Sequence, residues 1–198
     1  MGTSAGALNA AVLAAWGDAG PAKLQSLWNQ VTTRTLLGVS KVSRRRVLFR
    51  LATRAVTKRT GFSIYDARRL TKLLEAAFSG VDFQQFEKTA HLIVIASDYS
   101  TGGFTRFYVS PLIDELIARD KEHAATMQSR PKLTRFVRIT SLDMLVKCLL
   151  ASSAIPVVFP PVQIDGAYYA DGGVGNNTPV QEAALVLRTV NEWSPKYV

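Results

Sequence analysis

The stretch Gly2-Thr3-Ser4-Ala5-Gly6 has the spacing G-x-S-x-G, and the residues that follow, Ala5 to Trp16, are rich in Ala and Leu. This feature constrains the chain more than any other. The spacing belongs at a strand-to-helix turn with the serine on a sharp bend. Glycines let the backbone turn without side-chain collision, and the bend pushes the Ser4 hydroxyl into the open. The N–H of Ala5 then faces the reacting centre and can hold an oxyanion. The same residues also suit a plain glycine-rich turn that starts a helix, and the pentapeptide alone does not choose between these readings. Only Met1 precedes Gly2, so the helix is written into the chain and the feeding strand is not.

Further along, helical and apolar-strand patterns alternate. A second helix is predicted from Ala22 to Val31, stopped off from the first by Gly17 to Pro21. Leu70, Leu73, Leu74 and Phe78 recur at helical spacing, with Asp66 placed to cap the helix. His91 to Ala96 is a nearly continuous apolar run, as expected of a central strand buried on both faces. Gly102 and Gly103 turn it into a second strand. Helices are predicted over Ser110 to Arg130, over Leu142 to Ser152, and from Thr178 to Val190. Asp165-Gly166 marks a hairpin. The pattern predicts an α/β fold with helices on both faces of the sheet.

Composition narrows the function classes. With 198 residues and 47% hydrophobic side chains, the chain can bury a real core. The single cysteine, Cys148, sits in an apolar run and reads as a small buried hydrophobe, so no internal disulfide is possible. No Cys/His cluster suggests a metal, and no cofactor is expected. No apolar run reaches the roughly 18 residues that span a bilayer. The compartment stays open, with a cytoplasmic or peripheral-membrane setting as the expectation, and the oligomeric state is not readable.

The net charge of +9 is concentrated: between Lys41 and Lys72 eleven basic residues face one acid, Asp66. Around Arg44 to Val56 the basic residues interleave with Val47, Leu48 and Leu51, a basic amphipathic pattern. It reads either as a solvated helix packed by its apolar side or as an element drawn to anionic lipid headgroups, at about 1 kcal/mol per basic residue. Nucleic acid is not expected, since no helix-turn-helix, zinc-finger or RNP signature is present.

A serine hydroxyl needs a base. Asp98 or Asp114 followed by His123 satisfies the Ser–acid–His order of a histidine-dependent α/β-hydrolase, but His123 lies in a charged, exposed-looking stretch. Asp171, on a turn made tight by Gly172 and Gly173, is the most distinctive acid. Taken alone it reads as a reactive carboxylate or as a turn aspartate bonding its own backbone.

Three blocks together resemble the patatin-like phospholipases: Gly2 to Ala10 (GTSAGALNA), Ala151 to Val162 (ASSAIPVVFPPV) and Asp171 to Val180 (DGGVGNNTPV). Asp98 to Gly103 and Ser63 to Leu74 are weaker matches. The resemblance implies a mostly parallel central sheet flanked by helices. It implies one partial domain over residues 1–198, with a basic helical insertion around residues 40–72. It implies a histidine-free dyad with Ser4 as nucleophile and Asp171 as base. Gly2, Ala5 and Gly6 then form the elbow and oxyanion donor, and Gly172 and Gly173 the aspartate loop. Asn176, Asn177 and Asp98 read as structural. The substrate class implied is a phospholipid or other acyl ester. An aspartate of ordinary pKa, about 3.9, is a weak base, so burial and direct contact must supply the rest. The family also carries a glycine-rich oxyanion loop and a strand ahead of the serine. Neither is written here, so the expectation is a shortened chain that is weakly active or inactive, or a non-catalytic module that binds lipid or protein. The missing strand is expected beside Ile93 at the sheet centre.

Overall fold

The computed structural model describes residues 1–32, 63, 65–119 and 134–174. A two-residue strand, β1 (Gly2–Thr3), leads into α1 (Ala5–Trp16), a 3-10 turn (Gly17–Ala19) and α2 (Gly20–Gln30). Then come α3 (Arg68–Phe78), α4 (Phe83–Thr89), β2 (Leu92–Asp98), β3 (Gly103–Val109), α5 (Pro111–Arg119) and β4 (Thr134–Arg138). The last described elements are α6 (Leu142–Ser152), β5 (Val162–Ile164), β6 (Ala167–Asp171) and a 3-10 turn (Gly172–Val174).

The sheet runs β4-β3-β2-β6-β5, with β1 also paired to β2. It is mixed, not mostly parallel. The β2–β3, β2–β6 and β5–β6 pairs are antiparallel, while β1–β2 and β3–β4 are parallel. For the β2–β3 and β5–β6 pairs the cause is connection length. The short turn at Gly102 and the two-residue loop at Asp165-Gly166 can join only antiparallel neighbours, whereas the parallel pairs are linked through helices. Both loop residues at Asp165 (φ 47°) and Gly166 (φ 81°) take positive φ, as a type I′ hairpin requires. β1 is two residues long and lies parallel to β2, with Gly2 opposite Val94 and Thr3 opposite Ile95.

Successive residues of β2 point to opposite faces. Leu92, Val94 and Ala96 join a cluster with Ala7 and Ala11 of α1, Leu74 of α3, and Leu145 and Leu149 of α6. Ile93 and Ile95 face the other way, in a cluster with Tyr108 of β3 and Ile113 of α5. Both faces of β2 are therefore covered, which is why it reads as a continuous apolar run. The small side chains Ala7 and Ala11, both fully buried, let α1 approach the sheet closely.

Helix starts follow local chemistry. Ser141 accepts the Met144 N–H at the head of α6 (3.1 Å). Asp82 accepts the Gln84 N–H in α4 (2.9 Å), a helix that the sequence pattern does not announce, as it does not announce β4. Asp66 accepts the Arg68 N–H at 2.8 Å from two residues upstream, while Ala67 holds the cap position without a side-chain bond. The basic stretch ahead of residue 63, the Thr178 helix, and His123 lie outside the described residues.

Leu149 is fully buried in α6 against the sheet, so its truncation tests the core directly. Leu149→Ala should lower unfolding free energy by about 2–5 kcal/mol in urea titration, through lost burial and a residual cavity.

Candidate active site

Two strands share one edge of β2. β3 occupies the opposite edge along the whole of Leu92 to Asp98. On the other edge, β1 runs parallel and ends with Thr3 opposite Ile95. From the other direction β6 runs antiparallel and ends with Asp171 opposite Ala96. The two strand ends abut at adjacent positions of β2, and the residues at those ends are drawn to the same place. There Ser4 Oγ donates to Asp171 Oδ2 at 2.7 Å.

Ser4 sits at φ 54°, ψ −129°, a region that costs a non-glycine residue about 1–3 kcal/mol. Several bonds hold it there. Its carbonyl accepts the N–H groups of Ala7 (3.0 Å) and Leu8 (3.3 Å) in the first turn of α1. Its own N–H donates to Ser152 Oγ at 2.9 Å. A serine at a helix start normally accepts a first-turn N–H with its side chain. Ser4 makes no such bond; its hydroxyl goes to Asp171 instead. The bend also brings Gly2 against the Gly6 carbonyl and Ala7 nitrogen, where a Cβ would collide with backbone. A Cβ at Gly6 would meet no atom within 4 Å, so space beside the serine is open. Ala5 begins α1, and its N–H belongs to the helix's unsatisfied first-turn donors.

Asp171 is 4% exposed. Its Oδ1 accepts the Gly173 N–H at 2.7 Å, leaving Oδ2 for Ser4. Its N–H donates to the Ala154 carbonyl (3.0 Å), and its carbonyl accepts the Ser97 hydroxyl (2.9 Å). The two readings of Asp171 from sequence are thus compatible: one carboxylate oxygen braces the turn and the other meets the serine. Gly172 is required by close approach, since a Cβ there would lie 2.5 Å from the Ile95 carbonyl oxygen and 2.8 Å from Thr3 Cγ2.

A cleft of about 190 Å³ opens from Ser4. Its walls are apolar and come from α1, α2, α3 and the loop after α6, with Leu8, Leu27, Leu70, Leu74 and Phe159 among them. Trp28 and Ile155, 41% and 47% exposed, also line it and reach solvent. For scale, an apolar cavity of about 150 Å³ holds a benzene.

The other candidates fall elsewhere. His91 binds Ser110 through Nδ1 (2.9 Å) and lies five positions before Ala96, roughly 16 Å along the strand. Asp98 is buried and accepts the Ser100 N–H at 2.8 Å, a turn role. Cys148 is fully buried, and that burial pushes its thiol well above its ordinary pKa. Asn176 and Asn177 lie outside the described residues. Among the described residues no group of three or more His, Cys, Asp or Glu is placed to hold a metal, and no helix is long and apolar enough to cross a membrane. Sequence reasoning does not single out Ser97, Ser152 or Ala154. Ser152 and Ala154 lie within the stretch Ala151 to Val162, but nothing in a serine at a helix end announces its partner.

Residues 1–184 match the family described as patatin-like phospholipase, and the chain belongs to that family. No individual curated protein matches it.

Gly172→Ala tests the close approach. The Ile95 carbonyl cannot move without bending β2, so stability should fall by about 1–3 kcal/mol in thermal melts.

Proposed function

We propose that the chain is a serine lipid acyl hydrolase that uses Ser4 and Asp171 as a histidine-free dyad. The observation that carries the reading is the 2.7 Å bond from Ser4 Oγ to Asp171 Oδ2, made at a strained strand-to-helix bend.

The steps follow from the contacts. An acyl ester enters with its chain in the apolar cleft and its carbonyl over Ser4. Ser4 Oγ attacks the carbonyl carbon as its proton passes to Asp171 Oδ2. The negative charge on the carbonyl oxygen is met by the Ala5 N–H and by the positive end of α1. The intermediate collapses, the ester C–O bond breaks, and Asp171 returns the proton to the departing alkoxide. Water then attacks the acyl-serine, giving its proton to Asp171, and Ser4 recovers its proton as the fatty acid leaves. Direct contact replaces the histidine relay, and the Gly173 N–H keeps the carboxylate aimed throughout.

The lipid class is supported by the walls of the cleft. Helix α3 offers Leu70 and Leu74 to the cleft and exposes Arg69 and Lys72 outside. Arg69 and Lys72, with the basic residues that precede them in sequence, would favour contact with an anionic bilayer without crossing it.

Ser4→Ala should reduce hydrolysis of a short-chain ester by roughly 10⁴-fold or more, and Asp171→Asn by a comparable order. A serine-directed fluorophosphonate should label the wild-type chain at Ser4 and not the Ser4→Ala variant. Activity that survives both substitutions refutes the dyad. Binding to anionic vesicles should weaken steeply as salt rises, measured by co-sedimentation, because screening lengths shrink to about 3 Å at 1 M. Salt-independent binding removes the electrostatic role.

A further inference from the structure

The residues closing α6 take no part in the chemistry above, yet they hold both reacting residues by the backbone. Ser152 is fully buried. Its hydroxyl accepts the Ser4 N–H at 2.9 Å and donates to the Ile95 carbonyl at 2.6 Å. Two residues on, the Ala154 carbonyl accepts the Asp171 N–H at 3.0 Å.

The strand arrangement explains the need. β1 ends opposite Ile95 and β6 ends opposite Ala96, so the ladder along β2 is broken between them. At the break the elbow swings Ser4 out of line, and its N–H bonds a side chain rather than β2. A buried N–H or carbonyl left unpaired is strongly disfavoured. A hydroxyl is both donor and acceptor. One serine side chain can therefore take the N–H on one side and satisfy the carbonyl on the other, and alanine can do neither. The neighbouring residue shows that this is not a general habit of serines here: the Ser153 hydroxyl is buried and has no hydrogen-bond partner among the described residues.

We propose that Ser152 is a positioning residue for the Ser4–Asp171 pair, its hydroxyl linking the Ser4 N–H to the Ile95 carbonyl and so setting the elbow against β2. Through the Ser4 N–H it anchors the Thr3–Ser4 peptide plane, the base from which Cα and Oγ are aimed at Asp171. Displacement by about 1 Å is enough to slow a reaction by about 10². The kinetic consequence rests on the Ser4–Asp171 reading; the backbone clamp does not.

The test uses the 198-residue chain with Ser152→Ala and Ser152→Thr. Amide hydrogen exchange at Ser4 reports the clamp, and turnover of a short-chain ester reports its effect. In Ser152→Ala the Ser4 amide should exchange at least about tenfold faster while Val94 and Phe107 keep their protection. Its kcat should fall about 10²-fold with KM within about twofold. Ser152→Thr, which keeps the hydroxyl, should recover most of both. Unchanged Ser4 exchange in Ser152→Ala overturns the clamp. Faster Ser4 exchange with full kcat, or loss of protection at Val94 and Phe107 alike, overturns the positioning role. Should the alanine variant fail to fold, Ser152→Cys, with its weaker S–H partner, takes its place: the same two measurements apply, and the same outcomes support or overturn the proposal. A wild-type chain with neither turnover nor fluorophosphonate labelling sinks the hydrolase reading, while the Ser4 amide still decides the clamp.

Discussion

The edge of β2 opposite β3 carries two strands that meet end to end, β1 over Val94 and Ile95 and β6 over Ala96 to Asp98. This arrangement governs the rest of the site. Hydrogen-bond register along β2 fixes where each strand stops, and where each stops fixes where Ser4 and Asp171 emerge. Side-chain alternation then decides the face: Val94 and Ala96 cluster with residues of α1 and α6, and Asp171 stands opposite Ala96. A one-residue slip of β6 would turn Asp171 to the opposite face. The backbone of one central strand thus acts as the ruler for a side-chain contact.

The strained bend at Ser4 persists because it is held from several sides. The first turn of α1 takes its carbonyl, Ser152 takes its N–H, and Asp171 takes its hydroxyl. All the polar groups of one residue are engaged with three different elements. Small residues make this possible: Gly2 and Gly172 allow backbone-to-backbone approach, and Ala7 and Ala11 allow the helix to lie close to the sheet. An aspartate held in this way needs no histidine to reach the hydroxyl.

Much of the plan is visible in the sequence, for identifiable reasons. α1 and α6 begin and end where glycines, a serine cap and apolar runs say they should. The hairpin at Asp165-Gly166 follows from residues that tolerate positive φ. The Ser4–Asp171 contact is legible only through a family resemblance, because local pattern cannot measure a distance between remote residues; taken alone, Asp171 reads more readily as a turn residue. The mostly parallel sheet implied by the resemblance is mixed here, while the two short connections, at Gly102-Gly103 and Asp165-Gly166, are read from sequence as turns and join antiparallel pairs; the direction of β6 against β2 is not legible, because an apolar run such as Leu92 to Ala96 looks the same beside either kind of neighbour. β4 escapes notice, since Arg135 and Arg138 interrupt its apolar residues. Ser97 and Ser152 are invisible as contributors because their partners are backbone atoms, which every residue possesses.

The Ser4–Asp171 bond spans 167 positions of the chain. Closing so long a loop is entropically unfavourable until the intervening sheet and helices have formed. During synthesis the serine emerges first and waits for its carboxylate until almost the whole described chain has left the ribosome. A half-made molecule therefore holds the Ser4 hydroxyl without its carboxylate, and the pair is completed only when β6 takes its place in the sheet.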